Sequence, residues 1–285
     1  MLGVLTAAVL AVPCADAYCR KTVNDNLTGA TPIFWPANTT IVWRANQDGD
    51  SEIAGDAEFD AMRAAFSSWS DELGKCSSLK LVEGARTTKR EAGWSPQDLD
   101  PQNVLIFRKQ KCSAVVPTGT TCTGNGDCAN TWDCWEYGAN ALAVTTTSFN
   151  KTNGTIYDAD IEFNLPDYLF TVVDAPACPM GACALNCVCT DIQNATTHEI
   201  GHLLGLDHST RLGSTMHPRT DSGELVKRTI DPGTASFVCD VYPSTGLVRV
   251  PLADGKYPAG CGVAPGGITA AAAALLALAL KRGRA

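Results

Sequence analysis

Histidine is scarce in this chain: there are four in 285 residues, and none before position 198. A metal site built on imidazoles must therefore draw on His198, His202, His208 and His217. Basic residues are also in the minority. Lys and Arg number 22 against 30 Asp and Glu, a net charge of −8, which excludes the basic surface that nucleic acid or an anionic membrane requires. Charged residues at 18% and apolar residues at 45% exclude a disordered chain. No repeat is present, and no linker before about residue 244.

Cysteine, by contrast, is abundant, with thirteen in the chain. Four lie between 112 and 134 and four more between 178 and 189. Thiols in such number read as disulfides made outside the cytosol. The rival is a thiolate zinc cluster, but Cys178, Cys183, Cys187 and Cys189 lack paired CxxC knuckles. The start of the chain agrees with export. Leu2 to Pro13 are almost wholly apolar, and Ala15-Asp16-Ala17 has the small-x-small form of a signal-peptidase site, so residues 1–17 read as a signal peptide. No Lys or Arg precedes the apolar run, which is atypical; a buried N-terminal strand or helix is the alternative.

Patterning gives an α+β order. Asn38 to Arg44 reads as a strand, and Phe59, Met62, Phe66 and Trp69 mark the apolar face of a helix over Asp56 to Leu73. Leu79 to Val82 and Val104 to Phe107 are short strands; Lys111 to Glu136 reads as a disulfide-pinned loop insertion. Ala141 to Phe149 and Thr155 to Phe163 form a hairpin across Asn150 to Gly154. A second helix begins at Asp191 as its cap and runs through Leu204. A third starts at Asp231-Pro232.

The chemistry concentrates in His198-Glu199-Ile200-Gly201-His202-Leu203-Leu204-Gly205-Leu206-Asp207-His208. Residues four apart share a helix face, so His198 and His202 can grip one ion. Glu199 can reach a water on that ion without becoming a ligand. Gly205 can take the left-handed conformation that ends a helix, returning His208 as third ligand. Three neutral nitrogens leave a fourth position open, the arrangement of a catalytic zinc site rather than a structural one.

HExxHxxGxxH resembles the zinc signature of the metzincins, and His198 to Ser209 (HEIGHLLGLDHS) most resembles the matrixin branch. The resemblance spans about residues 31 to 244, and only the zinc and methionine motifs in it are specific. It implies a metzincin-like catalytic domain: a twisted mixed sheet, an active-site helix, a C-terminal helix and, here, disulfide-rich loops. It implies one catalytic Zn2+ held by His198, His202 and His208, with Glu199 as general base. It also implies a methionine turn under the zinc, matched by Ser214-Thr215-Met216-His217-Pro218, with Met216 as the floor.

This chain departs from the family too. With no histidine before His198, a second His-bound zinc is excluded; Val144 stands where one such ligand would be. The inhibitory prodomain is missing from the N-terminal side, and Cys261-Gly262-Val263 matches its cysteine switch only faintly and at the wrong end. Pro218 occupies the place of the tyrosine ligand of astacins and serralysins. His217 is then expected to line the cleft in a structural role, with transition-state hydrogen bonding as the alternative.

Calcium stays open as a second cation. Asp158, Asp160 and Glu162 alternate on one strand face, and Asn46, Asp48, Asp50 and Glu52 surround Gly49. The full ligand spacing fails, so a solvated strand face and a turn are favoured over calcium. Asn26, Asn38, Asn150, Asn153 and Asn194 match the glycosylation acceptor pattern.

The resulting expectation has three parts: a signal peptide at 1–17, a metallopeptidase domain at 18–244, and a linker and hydrophobic tail at 245–285. Within the tail, Cys261-Gly262 precede the uncharged Ile268 to Leu280 and then Lys281, Arg282 and Arg284. This resembles the myxosortase-type sorting tails of some Gram-negative bacteria, which implies transient or anchored membrane contact. A permanent anchor or a helix packed on the domain is the alternative. The function expected is a secreted or cell-surface zinc endopeptidase acting on protein or peptide substrates. The alternatives are a catalytically silent zinc-binding adhesion protein and a cell-wall crosslink hydrolase.

Overall fold

The computed structural model describes residues 18–24, 31–95, 102–124 and 126–246. The expected leader, acceptor Asn26, and the sorting tail with its Cys261 motif lie outside these residues. The elements run β1 (Cys19–Arg20), β2 (Thr40–Ala45), α1 (Ala57–Cys76), β3 (Lys80–Glu83), β4 (Asn103–Arg108), α2 (Cys112–Val115), α3 (Asp127–Trp132), β5 (Ala143–Phe149) and β6 (Ile156–Asn164). They continue with β7 (Phe170–Thr171), β8 (Thr190–Asp191), α4 (Ile192–Leu203), β9 (Leu206–Asp207), a 3-10 turn at Val226–Arg228 and α5 (Pro232–Val241). The fold class is α+β, with a twisted mixed sheet.

That sheet has five strands in the order β3-β2-β4-β6-β5. The first four are mutually parallel, and β5 joins antiparallel to β6 at one edge. Strand periodicity decides what each face meets. Ala159, Ile161 and Phe163 of β6 enter the main core with α1 and α4. Phe59, Met62, Phe66, Trp69 and Leu73 form the buried stripe of α1 that the spacing predicts. Trp69 fixes α1 to α4 by donating its indole N–H to the Thr197 carbonyl at 2.8 Å. Trp43 stacks on Phe66 with centroids 4.0 Å apart, locking α1 to β2.

The opposite face corrects the expectation of a solvated acidic stripe. Asp158, Asp160 and Glu162 are all buried. The segment before β4 and the cysteine-rich insertion after it cover them. Glu162 pairs with the wholly buried Arg108 at 2.7 Å, and Arg108 also reaches Asp133 at 2.9 Å. Asp160 accepts backbone N–H groups of Gly93 and Val104 at 2.5 and 2.6 Å. Burial and the neighbouring Asp158 carboxylate raise its pKa well above the ordinary range. At the Gly49 turn, Asn46 accepts from the Asp48 N–H, Asp50 accepts from the Glu52 N–H, and Asp48 is paired with Arg90.

The insertion is pinned as expected, by Cys112–Cys134 and Cys122–Cys128. It also holds two short helices, α2 and α3, which the composition does not suggest. Cys178–Cys187 and Cys183–Cys189 brace the loop before α4, and Cys76–Cys239 ties the end of α1 to α5. Asn194 is wholly buried in α4, which removes it from the accessible glycosylation acceptors. Among the described residues no helix is long and apolar enough to cross a membrane.

Candidate metal centre

α4 carries the first two imidazoles, and its start is fixed locally. The Asp191 carboxylate accepts the Asn194 N–H at 2.7 Å, satisfying one of the orphan donors of the first turn. Arg228 holds the same carboxylate from the other side at 2.5 Å. Four residues of helix then set His198 and His202 on one face, with ring centroids 4.9 Å apart. Gly205 follows at φ +101°, donating its N–H to the His202 carbonyl at 2.9 Å. A Cβ there would stand 3.0 Å from the Ile33 carbonyl oxygen, so both conformation and space call for glycine. The chain turns back into β9, pairs with β1, and delivers His208.

The ligand nitrogens of His198, His202 and His208 lie within 4.8 Å of one another. Main-chain carbonyls set the ring orientation. Nδ1 of His198 faces Thr215 O at 2.7 Å, and Nδ1 of His202 faces Leu206 O at 2.9 Å. A ring nitrogen against a carbonyl must carry the proton, so Nε2 of each is left as a lone pair pointing inward. His202 Nε2 comes within 3.2 Å of His208 Nε2, close enough for one cation to bind both. Burial lowers the pKa of all three: His198 falls well below its ordinary value, His202 to about 4 and His208 to about 3. Three convergent, neutral imidazoles, two of them held in one tautomer by main-chain carbonyls, fit a zinc ion.

Glu199 is 7% exposed. Burial raises its pKa to about 7, against the lowering effects of a Thr145 hydrogen bond and the Lys227 charge. Thr145, on β5, stands with its Oγ1 2.6 Å from Glu199 Oε2 and 3.1 Å from the Glu199 carbonyl oxygen. β5 is the sheet edge, half-buried along its length, so the carboxylate sits where that edge meets the metal face of α4. Lys227 is buried; its ammonium donates to Arg219 O at 2.7 Å and to Thr220 Oγ1, and pairs with Glu224 at 2.8 Å, tying together the loop after the methionine turn.

The methionine turn forms the floor. Met216 is wholly buried, and a Cβ on Gly201 would lie 2.2 Å from its sulfur, so floor and helix are in direct contact. Asp231, which caps α5 through Gly233 and Thr234, also accepts the Thr215 N–H at 2.8 Å. Thr215 in turn supplies the carbonyl that orients His198. His217 lies outside the triad, half-buried, with Nδ1 3.3 Å from Arg219 O. One other group of metal-type side chains occurs among the described residues, Asp127, Cys128 and Glu136. It is structural: Cys128 is in a disulfide, and Glu136 accepts the N–H groups of Cys128 and Ala129 at the start of α3.

The sequence points to His198, Glu199, His202, His208 and Met216, and the fold brings these together. It does not point to Thr145 or to the Asp231–Thr215 link. The only sequence signal for Asp231 is its capping position, and Thr145 carries none, since its partner is 54 residues away.

Mixed sheet, active-site helix, third histidine on a reversed loop and methionine floor together are consistent with a metzincin fold. A sequence model of the matrixin family matches residues 128–232, a stretch holding β5, β6, α4, the three histidines, Met216 and Asp231. The match covers under half of the chain and supports a metzincin-like zinc metallopeptidase, a class that acts on proteins or peptides. No curated protein matches the chain significantly.

Proposed function

We propose that this protein is a secreted, zinc-dependent endopeptidase with His198, His202 and His208 as ligands and Glu199 as general base. The observation that carries the reading is a buried carboxylate, next in sequence to the first of three convergent imidazoles, beside the edge strand of the sheet. Bound zinc would supply Lewis acidity, acidifying water and polarising a peptide carbonyl. Glu199 accepts the proton of the attacking water and passes it to the departing amine nitrogen. An extended substrate is held by pairing its main chain with β5 as an added strand.

Five disulfides among the described residues support folding outside the cytosol. With it we propose a signal peptide at 1–17, a catalytic unit at 18–244 and a removable sorting tail at 245–285. The deciding experiment incubates the purified protein with a mixed proteome and counts new peptide termini. Cleavage should vanish with a zinc chelator, return with zinc, and be absent in Glu199→Ala, which should still bind one zinc. A Glu199→Ala variant that cleaves, or that loses the metal, overturns the assignment. Zinc binding without cleavage by the native chain would instead favour a silent adhesion protein.

A further inference from the structure

The contact between β5 and α4 contains one polar bond that the proposed chemistry does not by itself require. Thr145 Oγ1 lies 2.6 Å from Glu199 Oε2 and 3.1 Å from the carbonyl oxygen of the same residue. Both partners are acceptors, and the hydroxyl has one proton and two lone pairs. Its one proton serves one of the two at a time, and the carboxylate oxygen, at 2.6 Å, is the nearer. Strand alternation turns the 145 side chain towards α4, while Thr146 turns the other way, to the Tyr137 hydroxyl at 3.3 Å. A serine or threonine at 145 can make this bridge; an apolar residue of the same shape cannot.

We propose that Thr145 is a positioning residue for Glu199. Its hydroxyl holds the carboxylate in one rotamer, and ties that rotamer to the strand on which substrate is laid. The second half matters as much as the first. Substrate paired with β5 is registered against the backbone of residue 145, whose side chain at the same time grips the base. The distance from carboxylate to the peptide bond under attack is thus set through one residue, not through the separate packing of a helix and a strand. Geometric looseness of this kind costs rate and leaves affinity alone.

This rests on the endopeptidase reading of Glu199, and the test separates the two. Thr145→Val, which keeps the shape and removes the hydroxyl, and Thr145→Ser, which keeps the hydroxyl, are compared with the native chain on one peptide substrate. Zinc content and thermal unfolding are measured in parallel. The expected result is a fall in kcat of roughly tenfold or more in the Val variant, with KM within about twofold and one zinc retained. The Ser variant should recover most of the loss. A merely structural threonine would show a lowered melting temperature and no split between kcat and KM. Native kcat in the Val variant, or a Ser variant as slow as Val, overturns the proposal while leaving Glu199 as base. If the zinc-loaded native chain cleaves no peptide, the endopeptidase reading fails first, and this one falls with it.

Discussion

Glycine 201 is the residue on which the site is most tightly drawn. A methyl group there would stand 2.2 Å from the Met216 sulfur and 3.0 Å from its terminal carbon. Met216 has no exposed surface through which to swing away. Gly201→Ala should therefore push the floor down from the helix, costing about 1–3 kcal/mol by the usual scale of overpacking. Zinc affinity should fall as well, because the Thr215 carbonyl that orients His198 precedes the displaced methionine. Calorimetry and metal titration would check both. In the Gly201→Ala/Met216→Ala double variant the losses should not add, since the two changes share one contact. At this scale the sequence is half legible. His198, His202 and Glu199 could be read because helix spacing alone puts them side by side. Thr145 could not, because its meeting with Glu199 depends on which sheet register brings β5 under α4.

The same histidines predict how the zinc-free protein responds to acid. Their folded pKa values lie below the ordinary 6.5, at about 4 for His202 and about 3 for His208, with His198 also strongly lowered. Below pH 6.5 the unfolded chain binds protons that the folded chain refuses, so stability falls as pH drops from there towards 4. Glu199 acts in the opposite sense. Its folded pKa of about 7 exceeds its unfolded 4.5, so it favours the folded state on acidification between those values. Glu58 and Asp160, also raised by burial, act in the same sense as Glu199, so the histidine contribution is read by difference. On denaturant unfolding between about pH 6.5 and 4, the chelated protein should lose more stability than a chelated His202→Gln/His208→Gln variant, and parallel curves would contradict the buried, neutral triad.

At the scale of elements, Asp231 links two pieces of structure with one side chain. It caps α5 at Gly233 and Thr234, and it holds Ser214 and Thr215 of the methionine turn. An ordinary cap is worth roughly 1 kcal/mol. Asp231→Ala should exceed that and also weaken metal binding, because Thr215 would lose the anchor for the carbonyl that orients His198. Asp191→Ala, which removes the cap of α4 and the partner of Arg228, gives a comparison from the other end of the site. Helix starts were legible because capping aspartates and the proline after Asp231 are local signals. The acidic face of β6 was not. Its alternation reads as solvated until Arg108, the last residue of β4, is seen to turn inwards against Glu162. Burial of that face is decided by an insertion pinned by two disulfides; composition marks its place in the chain but not the face of the sheet it covers.

Across the whole molecule, Cys76–Cys239 closes the longest loop among the disulfides described, with a separation of 163 residues against 6 for Cys122–Cys128. Both its ends lie in helices, α1 and α5, which also pack on each other, and the loop it closes holds four of the five sheet strands, the insertion and the metal helix. The chain-entropy view makes the two bonds unequal. Closing a loop of that length removes about 5 kcal/mol of unfolded-state entropy, against about 2 kcal/mol for the short one, each an upper bound. The Cys76→Ala/Cys239→Ala variant should thus unfold on the order of 10 °C below the native chain. The Cys122→Ala/Cys128→Ala variant should lose less than half as much. Differential scanning calorimetry of the two, zinc-loaded, makes the comparison direct. An equal effect would mean that these bonds act through local packing in the folded state, and that the long loop contributes nothing by its length.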